Sequence, residues 1–206
     1  ALRSFLSRTP NARAVRYEPN GTLEAVAFAH QRTHGVLAVP EYRLANAERI
    51  VSIGADFLGT WLNPVGLARQ YAQARRPETG AMLRHLQVES HLSLTGSNAD
   101  QRFPVAPSRM ARILSALVDR LVPRGGSDQI SAEEEQVVSN LGRELSSAKG
   151  RALVLSGSDE VDVQVLANAA NELLGAYGNT LSLARGVRLD EGSLSFEELL
   201  RELSDE

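Results

Sequence analysis

The chain has 206 residues, 43% of them hydrophobic and 23% charged, with a formal net charge of −3 and no cysteine. That length and balance describe one folded domain, or two intimate halves, with a real core. They exclude disulfides, thiolate metal sites, cysteine-ligated iron–sulfur clusters and cysteine nucleophiles within the chain, and the weak negative charge makes nucleic acid an unexpected partner.

No apolar run approaches the ~20 residues needed to cross a bilayer. Arg3, Arg8, Arg13 and Arg16 interrupt any signal-like apolar stretch at the start. The first residue is an alanine, which suits a processed protein or an excised piece and leaves targeting and compartment open.

In chain order, "ARAVRY" (12–17) predicts a short strand, and "EPNG" turns it into a helix from Thr22 with Leu23, Val26, Phe28 and Ala29 apolar. "RIVSIG" (49–54) is the clearest strand. A helix over 64–75 follows, with Pro64 in its first turn and Val65, Leu67, Ala68, Tyr71 and Ala72 at helical spacing. "LRHLQVE" (83–89) is the next strand, so the two strands and their helix predict a βαβ unit with adjacent, parallel central strands and a right-handed crossover.

Beyond the loop "SHLSLTGSNADQRFPVAP", Met110, Ile113, Leu114, Leu117, Val118 and Leu121 mark a helix for which Ser108 is the expected N-cap. Residues 123–129, "PRGGSDQ", read as a linker between sub-halves 1–122 and 130–206 of a single domain. "SAEEE" opens another helix with acids in its first turn. "RALVLSGS" (151–158) is a strand ending in glycine, followed by a helix with Val161, Val165, Leu166, Ala169, Leu173 and Leu174. "GAYGN" ends that helix, "TLSLA" predicts a strand, and "SFEELLREL" a last short helix. Four or five strands alternating with helices predict a Rossmann-like, three-layer α/β/α sandwich with a mainly parallel sheet.

Glycines after two strands, Gly54 and Gly157, suit close approach of a phosphate or of another backbone, but neither sits in a G-x-G-x-x-G fingerprint. From spacing alone they are turning glycines. His30 and His34 stand four apart on a helix in "HQRTH", which lacks the acid of a zincin motif, so solvated or structural imidazoles are expected there. His85 and His91 flank the strand end at Glu89 without forming a serine–histidine–acid constellation at defined spacing. Glu133, Glu134 and Glu135 read as a solvated face and dipole partner, and Trp61 as a packing anchor.

The run "YRLANAERIVSIGADFLGTWLNPVGLARQYAQARRP" resembles the molybdopterin oxidoreductase family, also called the dimethyl sulfoxide reductase family. That family carries a phrase close to L-x-N-A-D-x-I-x-S-x-G-A-D-F-L-x-T-W-x-S-P-V. "LQVESHLSLTGSNADQRFPVAP" is similar to its next strand and loop, and "LANAANELLGAYGNTLSL" to a later helix ending in L-G-N-x-G. The resemblance implies that Gly54, Ala55, Asp56, Glu89 and Ser90, with Ser93, Thr95 and Asp100 in the following loop, correspond to residues that cradle pterin-guanine dinucleotides in cofactor-bearing members. Where active members continue with P-G-T-D, this chain has Pro107, Ser108, Arg109 and Met110.

In that departure, and in "RSFLSRTPNARAVRYEPNG", the chain is more similar to the cofactor-free large subunit of bacterial alternative complex III. The implied function is a non-catalytic scaffold domain of a quinol-oxidising electron-transfer complex, with no cofactor in this chain. The implied neighbours are iron–sulfur and cytochrome components of a membrane-bound assembly, on the periplasmic side of the bacterial inner membrane. The alternatives are a fragment of an active enzyme that contributes part of a molybdopterin guanine dinucleotide site, and a generic nucleotide-binding α/β module.

Overall fold

A computed structural model describes residues 2–16, 21–80, 82–122, 130–189 and 194–204. Its elements, in order, are α1 (Leu2–Leu6), β1 (Val15–Arg16), α2 (Thr22–His34), β2 (Ala38–Tyr42), β3 (Arg49–Ile53), α3 (Pro64–Ala74), β4 (Arg84–Glu89), α4 (Leu94–Ser97), β5 (Gln101–Pro104), α5 (Pro107–Leu121), α6 (Ala132–Ser146), β6 (Ala152–Ser156), α7 (Val161–Leu173), β7 (Leu181–Arg188), β8 (Leu194–Ser195) and α8 (Phe196–Ser204).

Four parallel strands form the central sheet in the order β5-β4-β3-β6. β3 lies between its two neighbours in unbroken register, Arg49 opposite Arg84 and Ala152, Ile53 opposite Val88 and Ser156. The expected βαβ unit is therefore present. Alternate residues face opposite layers. Ile50, Leu153 and Leu155 join Phe57, Leu67 and Tyr71 on one side, while Val51, Leu86, Val88 and Val154 meet Ile113, Leu117, Leu141 and Ala170 on the other. With both faces covered by helices, the fold is the α/β/α sandwich expected from the sequence. The 123–129 stretch lies outside the described residues, and the sheet draws strands from both sides of it.

Local chemistry places the helix starts. Asn63 accepts from the Gly66 amide at 3.2 Å with Pro64 at the first helical position, and Ser131 and Glu134 form a reciprocal capping box on α6. At α5 the expected N-cap is wrong. Ala106 holds that place, because Pro107, with its fixed φ and missing N–H, occupies the first helical position and puts Ser108 inside the helix.

α1, β2, α4, β5 and β8 have no counterpart in the sequence reading. β2 contains Pro40, which argues against a strand, and is tolerated at a register shift between Val39 and Glu41. β5 and α4 are too short for periodicity to show. β7, expected as a strand, pairs antiparallel with β2 in a separate ribbon rather than joining the main sheet.

The face of α7 differs most from expectation. Of the expected apolar set Leu174 is buried, but Val161, Val165, Leu166, Ala169 and Leu173 are only half-buried, while Gln164, Asn168 and Asn171 are buried. The reason is the open edge of β6. Thr180 Oγ1 donates to Ala152 O at 3.0 Å, the Asn171 carboxamide accepts from Val154 N at 2.8 Å and donates to Val154 O at 2.9 Å, and Gln164 Nε2 donates to Ser156 O at 3.0 Å. Side chains thus stand in for a fifth strand along this edge. Asn171→Ala orphans both groups of Val154, and a loss of about 1–3 kcal/mol is expected in denaturant unfolding, without loss of the helical circular-dichroism signal.

Candidate functional site

A cleft of about 460 Å³ opens at the carboxyl edge of the sheet, between the ends of β3, β4 and β6 and the first turn of α5. This is where open α/β sheets take ligands. Gly54, Asp56, Glu89, Ser90 and Ser93 of the expected set line it, whereas Ala55, Thr95 and Asp100 do not. His91, Met110 and the β6-end segment through Glu160 complete the wall. Of these, "SGS" was noted from the sequence as a glycine that ends a strand, His91 as a flank of the strand end at Glu89, and Met110 as part of the departure from P-G-T-D.

The two strand-end glycines serve the backbone. Gly54 has φ 70 and donates its N–H to Val88 O at 2.8 Å. A β-carbon on Gly157 would lie 2.2 Å from Gly54 O, and Gly157 itself donates to Ile53 O at 2.9 Å, so its bare α-carbon is what lets the chains touch. The approach to Gly54 is itself narrowed by a thioether. Met110 Sδ lies 3.3 Å from where a Gly54 β-carbon would stand.

Three carboxylates pin the segment between β4 and β5. Asp56 Oδ1 accepts from Thr95 N at 3.1 Å and Thr95 Oγ1 at 2.6 Å, while a β-carbon on Gly59 would collide with Oδ2. Glu89, only 2% exposed, accepts from Ser93 N at 3.3 Å, Ser93 Oγ at 2.6 Å, Arg102 Nε at 2.5 Å and Gln87 Nε2 at 3.3 Å. Asp100 receives a two-pronged Arg75 at 2.5 and 2.9 Å and the His85 N–H at 2.7 Å. Burial pushes the Glu89 and Asp100 carboxyls up, but hydrogen bonds from Ser93 and Arg102, and from Arg75 and His85, outweigh it and hold both below the usual range.

A file of polar side chains runs beneath this segment on one face of β4. His85 Nε2 lies 3.1 Å from Gln87 Oε1, and the Gln87 amide reaches Glu89. His85 Nδ1 lies 3.3 Å from the Tyr71 hydroxyl, which donates to Asn98 O. Burial drives the His85 pKa down to about 4.

No lining residue of the cleft is a lysine or arginine, whereas Asp56, Glu89, Asp159 and Glu160 all contribute to its wall. Arg109 is not among the lining residues, and its Nε lies 3.9 Å from Glu134 Oε1. Glu134 itself departs from the solvated face expected of the acidic run, because it is buried in its capping box.

The other sequence candidates are engaged in structure. His30 Nδ1 donates to Val26 O at 2.8 Å and Nε2 accepts from Tyr177 at 3.2 Å, while His34 Nδ1 lies 2.7 Å from Thr33 Oγ1 and Nε2 3.7 Å from Glu172. Trp61 is buried against Tyr42, ring centroids 5.1 Å apart. Among the described residues, no group of three or more His, Asp or Glu is placed to hold a metal, and no helix is long and apolar enough to cross a membrane.

Two predictions follow from this geometry. Glu89→Gln removes the charge that Arg102 and Ser93 meet, so a loss of about 2 kcal/mol and faster amide exchange at Ser93 and Gly96 are expected by hydrogen exchange. The second concerns His85, whose pKa of about 4 lies below its ordinary 6.5. The unfolded chain takes this proton first as pH falls, so the His85 contribution is complete above pH 6.5 and lost on the way down to about 4. The slope is about 1.4 kcal/mol per pH unit, roughly 3 kcal/mol in all. Unfolding midpoints across that range should fall in the wild type and stay much flatter in His85→Gln.

No protein-family model matches the chain, and no curated protein matches it in sequence.

Proposed function

We propose that the chain is a non-catalytic scaffold domain of a quinol-oxidising respiratory complex, built on a molybdopterin-oxidoreductase framework whose cleft has lost its cofactor. The supporting observation is the state of Glu89. Its four hydrogen bonds use the acceptor capacity of a carboxylate, leaving little with which to receive a guanine N–H.

The rest of the cleft is consistent with that reading. A pterin-guanine dinucleotide carries a pyrophosphate, which calls for cations or open amides. The lining has neither lysine nor arginine, Met110 stands over Gly54, and Asp159 and Glu160 add negative charge at the β6 side. The residues present do not fit the group, so no chemical step is assigned through it. The ordered sequence likenesses supply the framework, and the periplasmic location and the iron–sulfur and cytochrome neighbours belong to the same proposal.

Metal analysis of the full-length subunit, purified from cells supplied with molybdate and tungstate, tests it. Near-zero molybdenum and tungsten in a subunit that still assembles with its cluster- and cytochrome-bearing neighbours is expected. Near-stoichiometric metal with extractable pterin overturns the reading.

A further inference from the structure

The cleft at the carboxyl edge carries more negative charge than the fold uses. Of its four lining carboxylates only Glu89 meets an arginine, and Asp56 is held by the neutral Thr95. Asp159 and Glu160 are exposed, and neither side chain makes a hydrogen bond or ion pair among the described residues. The first turns of α5 and α7 lie on the same wall and oppose these acids with roughly half a positive charge each. Three carboxylates without a cation outweigh them, and a cleft walled by one sign of charge concentrates that field.

The wall also holds a buried hydroxyl with spare capacity. Ser156, 2% exposed, accepts from Ser158 N at 3.3 Å and donates to no described group. Ile53, Met110 and Val163 give the cleft apolar surface on which the methylene stem of a long cationic side chain can lie.

Two leucines stand at the rim. His91 and Ser93 line the cleft, and Leu92 between them is 66% exposed, with Leu94 beyond them 56% exposed. These leucines sit on a segment that Glu89 pins through Ser93 and Asp56 through Thr95, so little chain entropy is lost when something covers them. A second copy of the chain is a poor cover, because it would bring acid to acid.

We propose that this edge docks a partner polypeptide that inserts an arginine or lysine side chain into the cleft and lays apolar residues on Leu92 and Leu94. Asp159, Glu160 and Ser156 receive the cationic N–H groups, and the two leucines anchor the flanking residues. The proposal rests on the reading of the cleft as one without a cofactor. A subunit filled with molybdenum overturns that reading, whereas a metal-free subunit that ignores the peptide below overturns this one alone.

The probe is a fluorescent peptide of about eight residues with one central arginine between leucines, titrated against the intact 206-residue chain and followed by anisotropy. Binding is expected, and replacing the arginine by citrulline, which keeps the shape and removes the charge, should weaken it by about ten-fold or more. Asp159→Asn with Glu160→Gln should do the same, and Leu92→Ser with Leu94→Ser should weaken it several-fold, all with unchanged unfolding midpoints. Val187→Ser, at an exposed position on β7 outside the lining, is the control and should leave binding unchanged. Absence of binding, equal binding of the citrulline peptide, or indifference to the acid variants overturns the proposal. So does equal binding of arginine amide alone, which assigns the cleft to a free small cation, and so does concentration-dependent dimerisation that Leu92→Ser abolishes, which assigns the rim to a second copy.

Discussion

An ionised carboxylate 2% exposed at the end of β4 is the constraint around which the cleft is organised. A buried charge needs donors on nearly every lone pair or it will not stay charged. Glu89 draws them from three places: Gln87 on its own strand, Ser93 at the cap of α4, and Arg102 on β5. Satisfying one charge therefore fixes the course of the chain between two parallel strands. Asp56 and Asp100 repeat the device at the neighbouring anchor points, each meeting backbone amides as well as side chains. Gly96 belongs to the same arrangement, since a β-carbon there would fall on the Glu89 carboxylate.

The opposite edge of the sheet is closed by different means. β6 has β3 on one side and no strand on the other, so its outward backbone groups must be met by side chains or water. Thr180, Asn171 and Gln164 meet them in succession, two residues apart along the strand. A helix that supplies polar groups to a strand edge gives up part of its apolar seam. That is why α7 buries Asn and Gln where its leucine and valine are only half-buried.

These two solutions bear on function together. The carboxyl edge keeps the geometry of a ligand cleft, but two of its acids, Asp56 and Glu89, are turned to holding the chain and its serines are not matched by any lining cation.

The layered fold was legible because its signals are local and strong. Apolar runs in "RIVSIG", "LRHLQVE" and "RALVLSGS" are long enough to be buried on both faces, and Pro64 and the Ser131–Glu134 box mark helix starts by chemistry within one turn. β2 was hidden by Pro40 and by its pairing with the distant β7, and β5 by its four-residue length, too short to leave a periodic trace. The candidate residues at the strand ends were also legible as types, glycine for close approach and acid for hydrogen bonding. Their partners were not: nothing near residue 89 announces Arg102, nothing near 54 announces Met110, and nothing in the helix pattern says that Asn171 will act as a strand. The sequence by itself determined the three long central strands, the longer helices and their parallel layering, because backbone propensity and burial period act within a few residues. Only the tertiary structure decided whether each acid is free for a ligand or consumed by the fold, because that depends on donors brought in from other elements.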